Sequence, residues 1–262
     1  MLQKSPDFPK GNSEVIDNDI SCTINFVVTR FFLKEFRFNR YKENFDEYEY
    51  LRNRCQLFLK FCYPSVISQL RENDRWYLLV SPEYIDFVKS QLVNIDSKVL
   101  VGNFSKAQIY EKLNNVIDSD MLPCVTRIDN DDTLGADYLM LLNKVVCSIS
   151  KKLDYGFVIF PYGVQYDIRS NEIGIMMYND THTFSVFYKH LIQDGSVPWL
   201  FDYSHASMFE NSLNFVMCNT TLPMWSENLS GTNQANSKRG SCLRLINEQF
   251  LLGKLFPNFD LL

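Results

Sequence analysis

The chain has 262 residues, of which 46% are hydrophobic, 15% aromatic and 22% charged, and it carries a formal net charge of −5. That supply of apolar side chains fills the core of one large α/β domain and excludes general disorder. The acidic balance excludes an overall attraction to nucleic acid, so no nucleic-acid partner is expected and any anionic ligand needs a local basic patch.

Seven cysteines lie far apart with no CxxC spacing, and they read as buried free thiols in a reducing compartment. The three histidines show no Cys/His pairing at ligand spacing, which argues against structural zinc. Residues 1–20 are polar, hold two prolines and lack a signal peptide's basic and apolar regions. They are expected to form a mobile leader before a single domain over residues 21–262, and the chain is expected to be cytoplasmic.

Residues 22–29 (CTINFVVT) are β-rich and form the expected first strand, which exits through Thr29, Arg30 and Phe31. A polar, basic exit from a buried strand is where open α/β sheets place ligands, although Arg30 alone also fits a surface arginine. Residues 34–50 are charged and aromatic, and predict an exposed helical excursion or a lid. From Leu51 the pattern is helical, with Leu51, Cys55, Phe58, Leu59 and Cys62 on one face. Pro64 is expected to break or restart that helix, and Ser65 to cap the turns carried by Val66, Ile67 and Leu70. Residues 75–81 and 99–101 predict further strands, and residues 82–92 and 106–117 further helices, before a fourth strand over 125–128.

This alternation implies βαβ units and a parallel sheet. It puts the stretch Thr126-Arg-Ile-Asp-Asn-Asp-Asp132 at the carboxyl end of a strand, with Asp129, Asp131 and Asp132 inside four residues. Carboxylates so crowded need a cation or hydrogen-bond donors to offset their repulsion. Their oxygens suit Mg²⁺ or Mn²⁺ shared with substrate phosphates. The plain alternative is a solvated acidic turn that caps the next helix.

Residues 137–150 predict a helix, after which the pattern changes to short β-rich runs over 157–160, 164–168, 173–178 and 184–188. Residues 21–150 are expected to form the half that holds a metal and a nucleotide diphosphate, and residues 151–262 an acceptor side of mixed or antiparallel structure. Residues 194–240 are loop-rich and contain Trp199, Asp202, Tyr203, His205, Glu210, Trp225 and Glu227, a composition common in binding clefts. Residues 241–255 predict a closing helix.

FVVTRF at 26–31, LRNRCQLFLKFCYPSVISQ at 51–69, RWYLLVS at 75–81 and TRIDNDD at 126–132 together resemble the putative rhamnosyltransferase family of bacterial polysaccharide loci. That family is similar to the GT-A glycosyltransferases. The resemblance implies an α/β, GT-A-like fold: a mostly parallel central sheet flanked by helices, with a smaller mixed or antiparallel C-terminal part. It also implies a metal-dependent transfer from a nucleoside-diphosphate sugar, such as dTDP-rhamnose, UDP-galactose or UDP-galactofuranose, to a glycan or lipid-linked acceptor. Peripheral contact with the inner membrane or with other polysaccharide synthases is part of the same expectation.

Carried over residue by residue, the family's Asp-x-Asp motif maps to Asp129, Asn130 and Asp131. Asp131 is the expected ligand of Mn²⁺ or Mg²⁺, with Asp129 near the ribose or the metal, and Asp132 positioning sugar or acceptor hydroxyls. Thr29, Arg30 and Phe31 would flank the base, Arg127 the donor, and His205 would complete the metal site. An inverting transfer needs a carboxylate base, for which Asp202, Glu210 and Glu227 are the candidates and Asp202 the first choice. A non-catalytic nucleotide- or glycan-binding module with the same fold is the competing reading.

Overall fold

The computed structural model describes residues 22–34, 46–177, 183–190, 201, 214–230 and 244–246. The expected leader, Asp202, His205, Glu210, Trp199 and Tyr203 lie outside the described residues.

β1 (Thr23–Phe32) is apolar enough to be buried on both sides and forms the middle of the fold. After it, α1 (Glu47–Leu57), a π-helical turn (Phe58–Cys62) and α2 (Tyr63–Ile67) follow one another without a gap. Asp46 caps α1 by accepting from the Tyr48 and Glu49 amides, both at 3.0 Å. Pro64 does not break the run; it stands in the first turn of α2, the restart that the sequence allows. In the π turn the Tyr63 N–H reaches back to the Phe58 carbonyl, and this wider spacing accommodates the missing proline donor. Ser65 does not act as a cap either; its hydroxyl donates to the Cys62 carbonyl at 2.8 Å and accepts from the Leu134 amide at 3.1 Å.

The chain continues through β2 (Arg75–Val80), α3 (Ile85–Gln91), β3 (Val99–Gly102), α4 (Lys106–Ile117) and β4 (Leu122–Arg127). Ser105 and Gln108 close a capping box on α4. Next come β5 (Thr133–Leu134), α5 (Tyr138–Ile149), β6 (Tyr155–Ile159), β7 (Tyr162–Asp167), β8 (Glu172–Met177) and β9 (Phe184–Tyr188). β10 (Phe215–Met217), β11 (Trp225–Leu229) and β12 (Arg244–Ile246) complete the described elements.

A seven-stranded sheet has the order β10-β6-β9-β4-β1-β2-β3. Every pairing in it is parallel except those of β9 with β4 and β6. A smaller mixed sheet has the order β12-β8-β7-β11-β5. The fold is therefore α/β, with a mostly parallel main sheet and a smaller mixed one, as the alternation of the sequence implies. One core layer packs Leu51, Cys55, Val88, Tyr138 and Leu142 against one face of the main sheet. A second sets Ile109, Tyr110 and Leu113 of α4 against the other.

Three expectations are corrected. The stretch 194–240 contains β10 and β11, and Arg244–Ile246 inside the expected closing helix is a strand. β11 escapes a search for alternation because it is buried throughout, so its polar Ser226, Glu227 and Asn228 mark an interior and not a loop. Cys22 and Cys147 form a disulfide across 125 residues, against the reading of all cysteines as free thiols. The packing of α5 against β1, invisible in the spacing, brings them together. Cys55, Cys62 and Cys124 are buried thiols. Among the described residues no helix is long and apolar enough to cross a membrane.

Candidate functional site

The chain steps outward from β1 to β2 and β3, then returns to lay β4 along the other side of β1. The carboxyl ends of β1 and β4 thus flank a topological switch point, the crevice in which open α/β sheets bind ligands. In-register pairing of Val28 with Arg127 brings Arg30 and the acidic turn to the same edge.

The turn after β4 is gripped from two directions. From α1, Arg54 donates Nη1 to Asp131 Oδ2 at 2.8 Å and places Nη2 2.6 Å from Asp131 Oδ1. The same Nη2 donates to Asn130 Oδ1. Asn130 in turn donates Nδ2 to the Phe31 carbonyl at 2.9 Å, which links the turn to the end of β1. From β11, the Asn228 amide donates to Asp132 Oδ1 at 3.1 Å and its Nδ2 to the Asp131 carbonyl at 2.5 Å. The Cys62 thiol reaches the Asp129 carbonyl at 3.5 Å. Behind them, Gln69 bonds to the Gly135 carbonyl at 2.9 Å and accepts from the Leu139 amide at 3.0 Å. Arg54, Cys62 and Ser65 of one helical run and Gln69 of the turn after it therefore all support the segment from the acidic turn to α5.

Asn130, Asp131 and Asp132 are buried, while Asp129 is half-buried. Burial, then the charges of Asp131, Asp129 and Glu227, push the Asp132 carboxyl well above the usual carboxylate range. Burial works against the Arg54 charge, but Asp131 first and then Tyr50 and Asp129 outweigh it and hold the guanidinium above its ordinary value. Glu227 is buried on β11 and accepts from Gln165 Nε2 at 2.8 Å.

On the other face of the sheet two guanidiniums converge. Arg30 and Arg127 sit over the Phe201 ring, with Cζ at 5.0 and 5.1 Å from its centroid, and Arg127 lies 5.8 Å from that of Phe184. Burial lowers the Arg127 pKa to about 10, opposed by Asp129 and assisted by Arg30. Of the expected base-flanking residues, Arg30 is the half-buried one. Thr29 is buried and accepts from Trp76 Nε1 at 3.0 Å, while the Phe31 ring stands edge-on to Phe58 at 5.3 Å in the core. Strand alternation turns these two inward and Arg30 towards the opposite face. Trp225 is likewise a core residue: its indole fills the space a side chain at Gly163 would need, and Nε1 donates to the Phe160 carbonyl at 2.7 Å.

The structure thus gathers Arg30, Arg127, Asp129, Asn130, Asp131, Asp132 and Glu227 at or beside one sheet edge. Arg54, Asn228 and Gln165 join them without having been singled out in the sequence. For Arg54 the signal was there: it falls between Leu51 and Cys55 on the one buried face of α1, whereas Asn228 lies in a strand too polar to announce its burial. Among the described residues no three His, Cys, Asp or Glu side chains converge as a metal shell. The donor set is nonetheless oxygen-rich, the kind of ligand a hard divalent cation takes, and burial and then the neighbouring carboxylates raise Asp132. Asp131 has both oxygens engaged by Arg54, and Asp129 is the half-buried carboxylate of the turn.

An open α/β sheet with helices on both faces and charged residues gathered at its switch point defines a fold of the doubly wound kind. Residues 34–241 match the model of the family described as "Putative rhamnosyl transferase", and the chain belongs to that glycosyltransferase family. No curated protein matches the chain. Among solved structures, it is similar to a 4-diphosphocytidyl-2C-methyl-D-erythritol synthase from Anaerococcus prevotii, at 12% identity and a TM-score of 0.37, over 92% of this chain and 96% of that one. It is also similar to a "putative nucleotide-diphospho-sugar transferase" from Desulfovibrio desulfuricans, at 10% identity and a TM-score of 0.35, over 92% of this chain and 100% of that one.

Proposed function

We propose that this protein transfers a sugar from a nucleoside-diphosphate donor, dTDP-rhamnose or a UDP-hexose, to a glycan or lipid-linked acceptor of a cell-surface polysaccharide. One observation carries the reading: the acidic turn and the Arg30–Arg127 pair flank the switch point between β1 and β4. Membership of the family supports it. The leaving group is a diphosphate, and cations at this edge offset the charge that develops on it.

Arg30 and Arg127 supply fixed positive charge there. Mn²⁺ or Mg²⁺ would supply more, held through Asp129, with Asp131 behind it and His205 as the expected further ligand. Asn130 keeps the turn against β1. Asp132, raised towards the neutral acid, is suited to hydrogen-bond a sugar or acceptor hydroxyl. Glu227, buried and held by Gln165, shapes the carboxylate cluster, and of the two remaining candidates, Asp202 and Glu210, Asp202 is the proposed base for an inverting attack by the acceptor hydroxyl.

The test is to incubate the purified protein with Mn²⁺ and a panel of dTDP- and UDP-sugars, following nucleotide release and transfer. Wild type is expected to hydrolyse or transfer from at least one donor, and Asp202→Asn to bind it with greatly reduced turnover. Binding with no turnover for any donor and acceptor would support the non-catalytic module instead. No binding at all would end both readings.

A further inference from the structure

We propose that Arg54 is a positioning residue that couples the acidic turn to the carboxyl end of β1. The inference rests on reading this edge as the nucleotide-sugar site. Arg54 forks onto both oxygens of Asp131 and shares Nη2 with Asn130. Asn130 passes the constraint on through its 2.9 Å bond to the Phe31 carbonyl. One guanidinium thus sets the turn that bears Asp129 relative to the strand that bears Arg30.

The planar fork is what makes this coupling available. A lysine in its place would balance the charge of Asp131 as a point cation but could not hold Asp131 and Asn130 in one plane. An ion pair needed only for stability can be exchanged for a neutral pair with little loss. The side link through Asn130 to β1 adds nothing to such a pair; it fixes the width of the crevice between the two strand ends. It also commits both Asp131 oxygens to the guanidinium, so that Asp129 meets the ligand.

The experiment measures Mn²⁺-dependent binding of UDP and dTDP by calorimetry, and the melting temperature, for four full-length forms: wild type, Arg54→Lys, the Arg54→Gln/Asp131→Asn double variant and Asn130→Ala. Wild type is expected to bind one of the nucleotides. The double variant should melt close to wild type yet bind at least tenfold more weakly, with Arg54→Lys similarly weakened and Asn130→Ala weakened several-fold. Variants that melt and bind like wild type would overturn the proposal and reduce the pair to a structural one. If the double variant fails to fold, Asn130→Ala decides, because it leaves the ion pair intact: unchanged binding overturns the coupling. If wild type binds neither nucleotide, the reading of the site fails first, and the proposal falls with it.

Discussion

Two Asp–Arg pairs with buried carboxylates stand at opposite ends of β1, and they differ in their company. At the amino end, Asp74 accepts from the Asn25 amide at 2.7 Å, from the Arg71 amide at 2.9 Å, and from Arg71 Nε and Nη2 at 3.1 and 3.0 Å. Arg71 also ties down the Thr23 carbonyl at 2.7 Å, and the Cys22–Cys147 disulfide lies next to it. At the carboxyl end, Asp131 is held as firmly by Arg54, but Asp129, Asp132 and Glu227 crowd beside it. A single satisfied carboxylate is a fastening. A carboxylate pair placed among others, with their repulsion incompletely offset, is the edge proposed above to take a cation or a hydroxyl. The same pairing chemistry staples one edge of the sheet and, on that proposal, supports a binding edge at the other.

The sharpest way to break this contrast is at the disulfide. Closing a loop of 125 residues stabilises by about 5 kcal/mol in the chain-entropy model. At about 2–4 °C per kcal/mol, Cys22→Ser/Cys147→Ser or reductant should lower the melting temperature by roughly 10–20 °C. Differential scanning fluorimetry measures it, and nucleotide affinity below the transition should stay at the wild-type value. A matching loss of affinity would show that the two edges are not independent.

Asp131→Ala comes next. It leaves the Arg54 charge buried and should destabilise by about 3–5 kcal/mol in urea unfolding, while also abolishing nucleotide binding. Asp74→Asn should lose about 1–2 kcal/mol, discounted because Arg71 is partly exposed, and leave binding unchanged. The smallest effect on stability, about 1 kcal/mol or less, belongs to Asp129→Ala. Its signature is a lost Mn²⁺-dependent increment in nucleotide affinity, read by calorimetry with and without a chelator. Retention of that increment would remove the metal from this edge.

Much of the carboxyl edge was legible in the sequence because strand and helix alternate up to residue 128, and alternation alone places TRIDNDD at a strand's end. Arg54 was not singled out, although it falls between Leu51 and Cys55 in the apolar stripe of α1, where a charge needs a buried partner. Its partner is 77 residues away, and nothing local announces it. β11 was missed for the opposite reason: its sequence, WSENL, is polar because its side chains bond to one another and to the turn. The family resemblance assigns Thr29 and Phe31 to the nucleotide base together with Arg30, whereas the two-residue period of the strand buries their side chains on the face opposite Arg30. The disulfide depends on tertiary packing alone.

Asn228 has a consequence for how the molecule assembles. The two hands that hold the acidic turn reach it from 77 residues upstream and 97 residues downstream. Contacts so distant in sequence pay their loop-closure entropy before they return any stabilisation. Asp129, Asp131 and Asp132 share one turn, but Glu227 and Asn228 join them only when the larger sheet and the smaller one have met. A chain that has made only its first parallel strands has the acidic edge without the second of its two supports.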